Sequence, residues 1–195
     1  MEETVLNMEM TGKCSVCKEE LTMFGSKELK NGVICRNCAK KVSSWITDEE
    51  LKLKSINGIK IHLRNREKNM EKLAGFNPDT TVEGKYTLYI DKEKKAFAVS
   101  KKSDFRTDNA DVIPARIVKS IELKCLPYED TENLDVYLIA DVRNRMFDKV
   151  CYRVNEFPGL EKDSVELNDA LTLGKNYIKA LVDTGLVNSK RVKED

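Results

Sequence analysis

The sequence has 195 residues, of which 34 are Lys or Arg and 33 are Asp or Glu, so the formal net charge at pH 7 is only +1. This balance gives the chain no overall bias toward anionic or cationic partners. With 41% hydrophobic and 34% charged residues, the chain can bury a core beneath a well-solvated surface, which excludes long disordered stretches. No window reaches the roughly 18–20 apolar residues of a membrane-spanning helix, and residues 1–10 lack the features of a signal peptide. We therefore expect a cytoplasmic protein of one or two small domains.

Four of the six cysteines have the spacing of a zinc ribbon. Two C-x2-C pairs, Cys14/Cys17 and Cys35/Cys38, are separated by seventeen residues. Each pair can place two thiolates at about 2.3 Å from a common ion, and two pairs complete the tetrahedron that structural zinc prefers. The sequence therefore predicts one structural Zn²⁺ with Cys14, Cys17, Cys35 and Cys38 as its ligands.

Two other uses of these four cysteines explain the pattern less well. Disulfides are disfavoured in a chain that is expected to stay in the reducing cytoplasm. Redox chemistry at a C-x-x-C motif expects a thioredoxin-like βαβ context, and it does not explain two such pairs at ribbon spacing. The other two cysteines, Cys125 and Cys151, lie in apolar strand-like segments and are predicted to be core residues.

The segment between the two cysteine pairs predicts a β-hairpin. Asn31-Gly32 is a preferred dipeptide of type I′ turns, in which both positions have positive φ. Such a hairpin would carry Cys35 to the metal. The only histidine, His62, lies in the next helical stretch and has no nearby partner for catalysis, so it is assigned no role.

A long helix is predicted after the ribbon. Thr47 and Glu50 form a capping box at its start, and Gly75 followed by Pro78 ends it after Ala74. The sequence predicts one apolar stripe along this helix, interrupted by Arg66: Ile56, Ile59, Leu63, Met70 and Leu73. This stripe either packs on the domain C-terminal to it or faces a partner, and the first arrangement is favoured because the seam is short for a coiled coil.

The rest of the chain predicts an antiparallel sheet followed by a helix. Alternating apolar residues indicate at least five strands: 86–90, 96–99, 116–126, 134–142 and 147–154. A second amphipathic helix is expected over 164–186. This order indicates the α+β class and resembles a pleckstrin-homology-like barrel closed by a C-terminal helix. The predicted organisation is a zinc ribbon at 11–45, a connecting helix at 46–75 and a sheet domain at 80–187.

The ribbon and several segments C-terminal to it resemble an uncharacterised bacterial and phage family known as domain of unknown function 4428. The resemblance rests on these segments: 14–17 (CSVC), 30–41 (KNGVICRNCAKK), 74–78 (AGFNP), 88–91 (LYID) and 109–113 (NADVI). It spans about residues 13–125 and implies zinc binding. Lys18 departs from the family pattern, which usually has Gly after the second cysteine, so Lys18 must accept the backbone geometry of the metal-binding turn.

The motifs favour a binding role over catalysis. The nucleotide-binding, nucleophile-elbow and metalloprotease motifs are absent, so no enzyme activity and no catalytic residue is predicted. We expect a non-enzymatic interaction or adaptor protein with a protein partner that contacts the ribbon or the sheet domain. The oligomeric state is left open.

Nucleic-acid binding is the alternative function. Residues 13–41 contain seven Lys or Arg against three Glu, and zinc ribbons often bind nucleic acids. A zinc ion with four thiolates carries a net charge of about −2, which cancels part of this surplus. A headgroup or phosphopeptide site at Lys101, Lys102 and Arg106 is weaker still, because three nearby aspartates nearly cancel its charge.

Overall fold

The computed structural model of the chain describes residues 12–22, 24–101, 104–108 and 110–193. The chain divides into two compact units, residues 1–68 and residues 69–195. The prediction about a signal peptide in residues 1–10 lies outside the described residues. Within the described part, no helix combines the length and the apolar composition that a membrane crossing takes.

The first unit contains a small hairpin and short helices, and the start of a long helix. Its elements are, in chain order, β1 Lys27–Leu29, β2 Gly32–Ile34, α1 Arg36–Ala39, α2 Asp48–Lys52 and α3 Ile56–Ala74. α3 contributes its residues up to Lys68 to this unit and its last residues to the second unit. An ion pair between Lys27 of β1 and Asp48 of α2 holds α2 beside the hairpin.

The predicted hairpin is present, but its turn differs from the prediction. Leu29 pairs with Gly32, so the two turn residues are Lys30 and Asn31, and neither Asn31 nor Gly32 has a positive φ. Gly32 is needed for space instead, because a Cβ there would lie 2.5 Å from Ser15 Oγ. The Asn31 side chain accepts a hydrogen bond from the backbone N–H of Ile56 (2.9 Å), which ties the turn to the start of α3.

The predicted long helix is divided into two. Thr47 and Glu50 form the predicted capping box of α2, but α2 ends at Lys52 and α3 begins at Ile56. Ser55 starts α3 anew, because its hydroxyl accepts a hydrogen bond from Gly58 N–H (3.1 Å) and so supplies a second N-terminal cap. α3 then ends at Ala74, as predicted.

The second unit contains two four-stranded sheets and a long helix. Its strands are, in chain order, β3 Thr80–Val82, β4 Thr87–Asp91, β5 Ala96–Ser100, β6 Ile113–Pro114, β7 Val118–Pro127, β8 Leu134–Val142, β9 Lys149–Arg153 and β10 Val192–Lys193. One sheet has the order β3-β4-β5-β6 and the other β10-β7-β8-β9. Each pairing is antiparallel except β10 with β7, which is parallel. The fold class is therefore α+β, as predicted.

The C-terminal helix α4, Val165–Asp183, packs on strands of both sheets. Its fully buried Tyr177 donates a hydrogen bond to the carbonyl oxygen of Tyr86, the residue directly before β4. The Tyr177 ring also packs edge-to-face on Tyr152 of β9, with ring centroids 5.7 Å apart. One side chain thus joins the helix to both sheets.

The two remaining cysteines are not core residues. Cys125 on β7 and Cys151 on β9 are both exposed, so the prediction that they fill the core is wrong. In β9 the burial alternates, and Cys151 lies on the outward face between the buried Val150 and Tyr152. The strand around Cys151 was therefore predicted correctly, but the side of the strand on which Cys151 lies was not.

Candidate metal centre

The four ribbon cysteines lie in two backbone turns that face each other. Cys14 and Cys17 belong to a turn closed by a hydrogen bond from Lys18 N–H to the carbonyl oxygen of Cys14 (3.0 Å). Cys35 comes directly after β2 and is the N-cap of α1, and Cys38 lies inside that helix. Strand β2 therefore delivers the second pair to the first, as the hairpin prediction required.

The four sulfur atoms have the spacing of a tetrahedral metal site. All four Sγ atoms lie within 4.8 Å of one another. The Sγ atoms of Cys14 and Cys38 are 3.8 Å apart, and those of Cys17 and Cys35 are 3.5 Å apart. Four sulfurs at about 2.3 Å from a central zinc ion lie about 3.8 Å from each other. The cluster could therefore hold one metal ion at its centre with little movement of the side chains.

Backbone N–H groups point at these sulfurs. Cys14 Sγ accepts hydrogen bonds from the N–H groups of Val16 (3.4 Å) and Cys35 (3.3 Å), and Cys35 Sγ accepts one from Cys38 N–H (3.5 Å). Burial raises the pKa of the Cys14 thiol, but N–H groups of Cys17, Cys35 and Val16 more than offset this and lower it to about 6. These donors favour a thiolate, which is the form that binds metals.

The surroundings of Cys38 oppose its ionisation. Burial, together with the neighbouring cysteine sulfurs, raises the pKa of the Cys38 thiol well above its usual range. The carboxylate of Glu19 lies 3.6 Å from Cys17 Sγ and adds a further negative charge beside the cluster. A divalent cation at the centre would supply positive charge and favour the thiolate form of Cys38.

Lys18 has the backbone conformation that its place in the turn requires. Its φ is 68°, in the left-handed region that favours glycine. Its N–H group closes the turn around Cys14 and Cys17. The departure from the family pattern therefore leaves the geometry intact at the cost of local strain, which is about 1–2 kcal/mol for a residue with a Cβ.

His62 and Arg66 support the segment just after the second cysteine pair, and sequence reasoning gave neither of them this role. His62 is only 4% exposed, and its Nε2 atom accepts a hydrogen bond from the backbone N–H of Ser43 (3.1 Å). One turn later, the buried Arg66 donates from Nε to the carbonyl oxygen of Lys41 (3.3 Å). The face of α3 toward residues 41–43 is thus polar, whereas Met70, assigned to the apolar stripe, is 62% exposed.

A cleft of about 390 Å³ opens beside the second cysteine pair. It is lined by charged and polar side chains together with Phe24, which is 79% exposed. Glu19, Glu20 and Arg36 form its charged rim. Phe24 is thus an exposed aromatic ring on a surface next to the cysteine cluster, and a metal ion bound there would hold this surface in place.

The comparison with protein families agrees with this site. Residues 13–62 match the model of a domain of unknown function (DUF4428), a segment that includes all four cysteines and ends at His62. The predicted resemblance is confirmed over this range, and from residue 63 to about 125 it stays a prediction. No curated protein and no solved structure matches the chain, so the pleckstrin-homology-like barrel also stays a prediction.

Proposed function

We propose that the DUF4428 segment of this chain is a zinc ribbon that holds one structural Zn²⁺, and that the protein is a non-enzymatic interaction protein of the cytoplasm. The observation that carries the zinc proposal is the pair of sulfur distances, 3.8 Å and 3.5 Å, close to the edge of a zinc–thiolate tetrahedron. Zinc with four thiolates has no open position for substrate or water. The ion would therefore stabilise the fold and take no part in a reaction.

The metal would fix both cysteine turns and the segments that pack on them. Cys35 caps α1, and residues 41–43 just beyond α1 are held by α3 through Arg66 and His62. A module this small has too little core to fold alone, and structural zinc supplies the missing free energy of folding. A reducing cytoplasm would keep the four cysteines available as zinc ligands.

Phe24 is the feature that supports a protein partner. Large aromatic side chains contribute most binding free energy at protein interfaces, particularly where polar groups surround them. Phe24 lies beside the charged rim formed by Glu19, Glu20 and Arg36, and its ring is largely exposed to solvent. We infer that the ribbon uses Phe24 as an anchor on its partner.

Two matched variants test whether the partner contacts the ribbon or the sheet domain. Phe24→Ala removes an aromatic ring that is 79% exposed in the first unit, and Phe157→Ala removes one that is 74% exposed in the second. We expect a protein captured from a host lysate by the wild-type chain to be lost with Phe24→Ala and kept with Phe157→Ala. The zinc content of both variants should equal that of the wild type. Equal capture by all three chains would contradict the role of Phe24.

The same experiment addresses the nucleic-acid alternative. Seven cations in residues 13–41 favour that alternative. Two ion pairs with residues outside this range, Lys27 with Asp48 and Glu28 with Lys52, cancel one charge of each sign and leave the surplus unchanged. Nuclease treatment before capture should leave the protein partner bound. Nucleic acid that copurifies at physiological salt, with a partner lost after nuclease treatment, would favour the alternative.

A further inference from the structure

Four cationic side chains converge on one concavity in the second unit. Arg116, Lys119, Arg143 and Arg191 line it, together with Ile117 and Val118, and its volume is about 460 Å³. None of the lining residues is acidic or aromatic. The proposed function makes no use of this site, which lies outside the DUF4428 match.

The four cations come from separate parts of the chain, and the fold brings them together. Arg116 lies in a 3-10 turn before β7, and Arg191 ends a second such turn before β10. Arg143 comes directly after β8, and its N–H group donates to the carbonyl oxygen of Ile117 (2.7 Å). The Arg191 guanidinium donates through Nη1 to the carbonyl oxygen of Val118 (2.8 Å). These backbone contacts hold the concavity in shape.

An irregularity in β7 presents the fourth cation. Val118 lies opposite Val142 of β8, and Ser120 lies opposite Asp141, so Lys119 has no residue opposite it. Such a β-bulge adds one residue to a strand and redirects its side chain. Lys119 is exposed between the buried Val118 and Ser120. The bulge therefore places a charge at the rim of the concavity without disturbing the core.

Within the part of the chain that the structure describes, none of the four cations forms an ion pair. The carboxylate of Asp141, on the neighbouring strand, accepts a hydrogen bond from Ser120 (2.8 Å) and pairs with Lys193 (3.3 Å). Clustered like charges repel one another, and a bound anion relieves that repulsion.

We propose that this concavity binds a small ligand that carries several phosphate groups. Three guanidinium groups can form bidentate hydrogen bonds with phosphate oxygens, and the lysine adds a fourth cation. A volume of about 460 Å³ is within the range of small-ligand sites. Single-stranded nucleic acids instead bind along extended grooves with aromatic rings for base stacking, and this concavity is compact and has no aromatic lining. The same chemistry is offered by a free oligophosphate and by a phosphorylated lipid headgroup.

Calorimetric titration of the full-length protein with inorganic tripolyphosphate tests the proposal. We expect saturable binding with one ligand per chain, and amide chemical shifts that change at residues 115–119, 143 and 191. At a hundredfold excess over its Kd, the ligand should raise the Tm of the second unit by about 5–10 °C. The metal content is measured before and after the titration, because tripolyphosphate also chelates zinc.

Paired variants separate a built site from general attraction. Arg116→Ala with Arg143→Ala should weaken binding at least tenfold. Arg116→Lys with Arg143→Lys keeps the two charges but loses the bidentate hydrogen bonds, so it should weaken binding less than the alanine pair does. Both arginines are exposed, and the Arg191 contact to the backbone is left in place. Lys162→Ala with Lys179→Ala removes two exposed cations elsewhere on the second unit and should leave the affinity unchanged.

Vesicles distinguish the two sources of phosphate. If the ligand is a lipid headgroup, the wild type should bind phosphatidylcholine vesicles that contain phosphatidylinositol bisphosphate. The variant with Arg116→Ala and Arg143→Ala should not bind them. Binding of tripolyphosphate without binding of these vesicles would assign the site to a free oligophosphate. An equal loss of affinity in both alanine pairs would overturn the proposal. So would an affinity for single-stranded polynucleotides that grows with their length while tripolyphosphate does not bind.

Discussion

His62 makes the stability of the first unit depend on pH. Burial is the main reason that the pKa of His62 falls from 6.5 to about 4, and the charges of Arg66 and Lys54 lower it further. The neutral ring is also required by its hydrogen bond, because Nε2 accepts from Ser43 N–H. Protonation of Nε2 would replace this hydrogen bond with a contact between two donors.

The sign and size of the effect are set by this lowered pKa. The unfolded chain binds a proton at His62 near pH 6.5 and the folded chain only near pH 4, so the contribution of His62 is fully present above pH 6.5. It is lost as the pH falls toward 4. A difference of this size corresponds to about 3 kcal/mol at full effect, and about 2 kcal/mol of it is lost between pH 7 and pH 5.

The control variant His62→Gln separates this effect from the titration of the cysteines. Glutamine can accept the Ser43 N–H bond through its amide oxygen and does not titrate. Urea unfolding can be followed by the fluorescence of Trp45, the only tryptophan, whose backbone N–H donates to Ser43 Oγ (3.3 Å). Zinc is kept in excess, so protonation of the thiolates affects both chains equally.

Between pH 7 and pH 5 the wild type should lose about 2 kcal/mol more than His62→Gln. A difference between the two chains that does not change with pH would refute this account of His62.

Three further substitutions have defined outcomes. Lys18→Gly relieves the strain of the left-handed backbone but increases the conformational entropy of the unfolded chain. The free energy of unfolding of the ribbon, followed by Trp45 fluorescence, should therefore rise by about 0.5–1 kcal/mol. A decrease would contradict the presence of strain at Lys18. Asp135→Asn weakens the hydrogen bonds that this buried carboxylate accepts, among them one from Asn155 Nδ2 (2.8 Å). It should cost the second unit about 3 kcal/mol by thermal denaturation at pH 7. Burial opposes the ionisation of Asp135, but these bonds lower its pKa, so the deficit of the variant should shrink as the pH falls below about 4; a deficit independent of pH would contradict this. Tyr177→Phe removes the bond to the Tyr86 carbonyl and should lower the stability by about 1–2 kcal/mol, whereas an unchanged Tm would show that the bond contributes nothing.

The sequence allowed the cluster of four cysteines and the regular elements to be predicted, because both depend on local spacing. The two C-x2-C pairs supplied all four residues that the fold brings together. The strand predicted over 134–142 is β8 to the residue, since strict alternation of apolar residues is the signal of a strand with one buried face. The helix predicted over 164–186 corresponds to α4, Val165–Asp183, which has Ser164 as its N-cap and ends three residues earlier than predicted.

The features that could not be predicted depend on contacts between distant residues. Asn31 and Gly32 suit a type I′ turn, yet Asn31 is used to cap α3 and Gly32 to make room for Ser15. Arg66 interrupts the predicted apolar stripe, but its role could not be predicted. The carbonyl group that it binds lies 25 residues earlier, and such a contact has no sequence signature. Strands β6 and β10 have only two residues each, too few for any periodicity.

The basic concavity was missed for a similar reason. Its four cations are spread over 76 positions from Arg116 to Arg191, and no local charge run marks them. Only the fold, through the bulge at Lys119 and the two short turns, brings them together.

The most direct test of the central claim is the metal content of the purified full-length chain, combined with X-ray absorption at the zinc edge. The account predicts one zinc per chain with four sulfur ligands at about 2.3 Å. It also predicts that Cys14→Ser or Cys38→Ser loses the metal and unfolds the ribbon. Less than one tightly bound zinc per chain, or a zinc with nitrogen or oxygen ligands in place of one of the four sulfurs, would contradict a closed structural site.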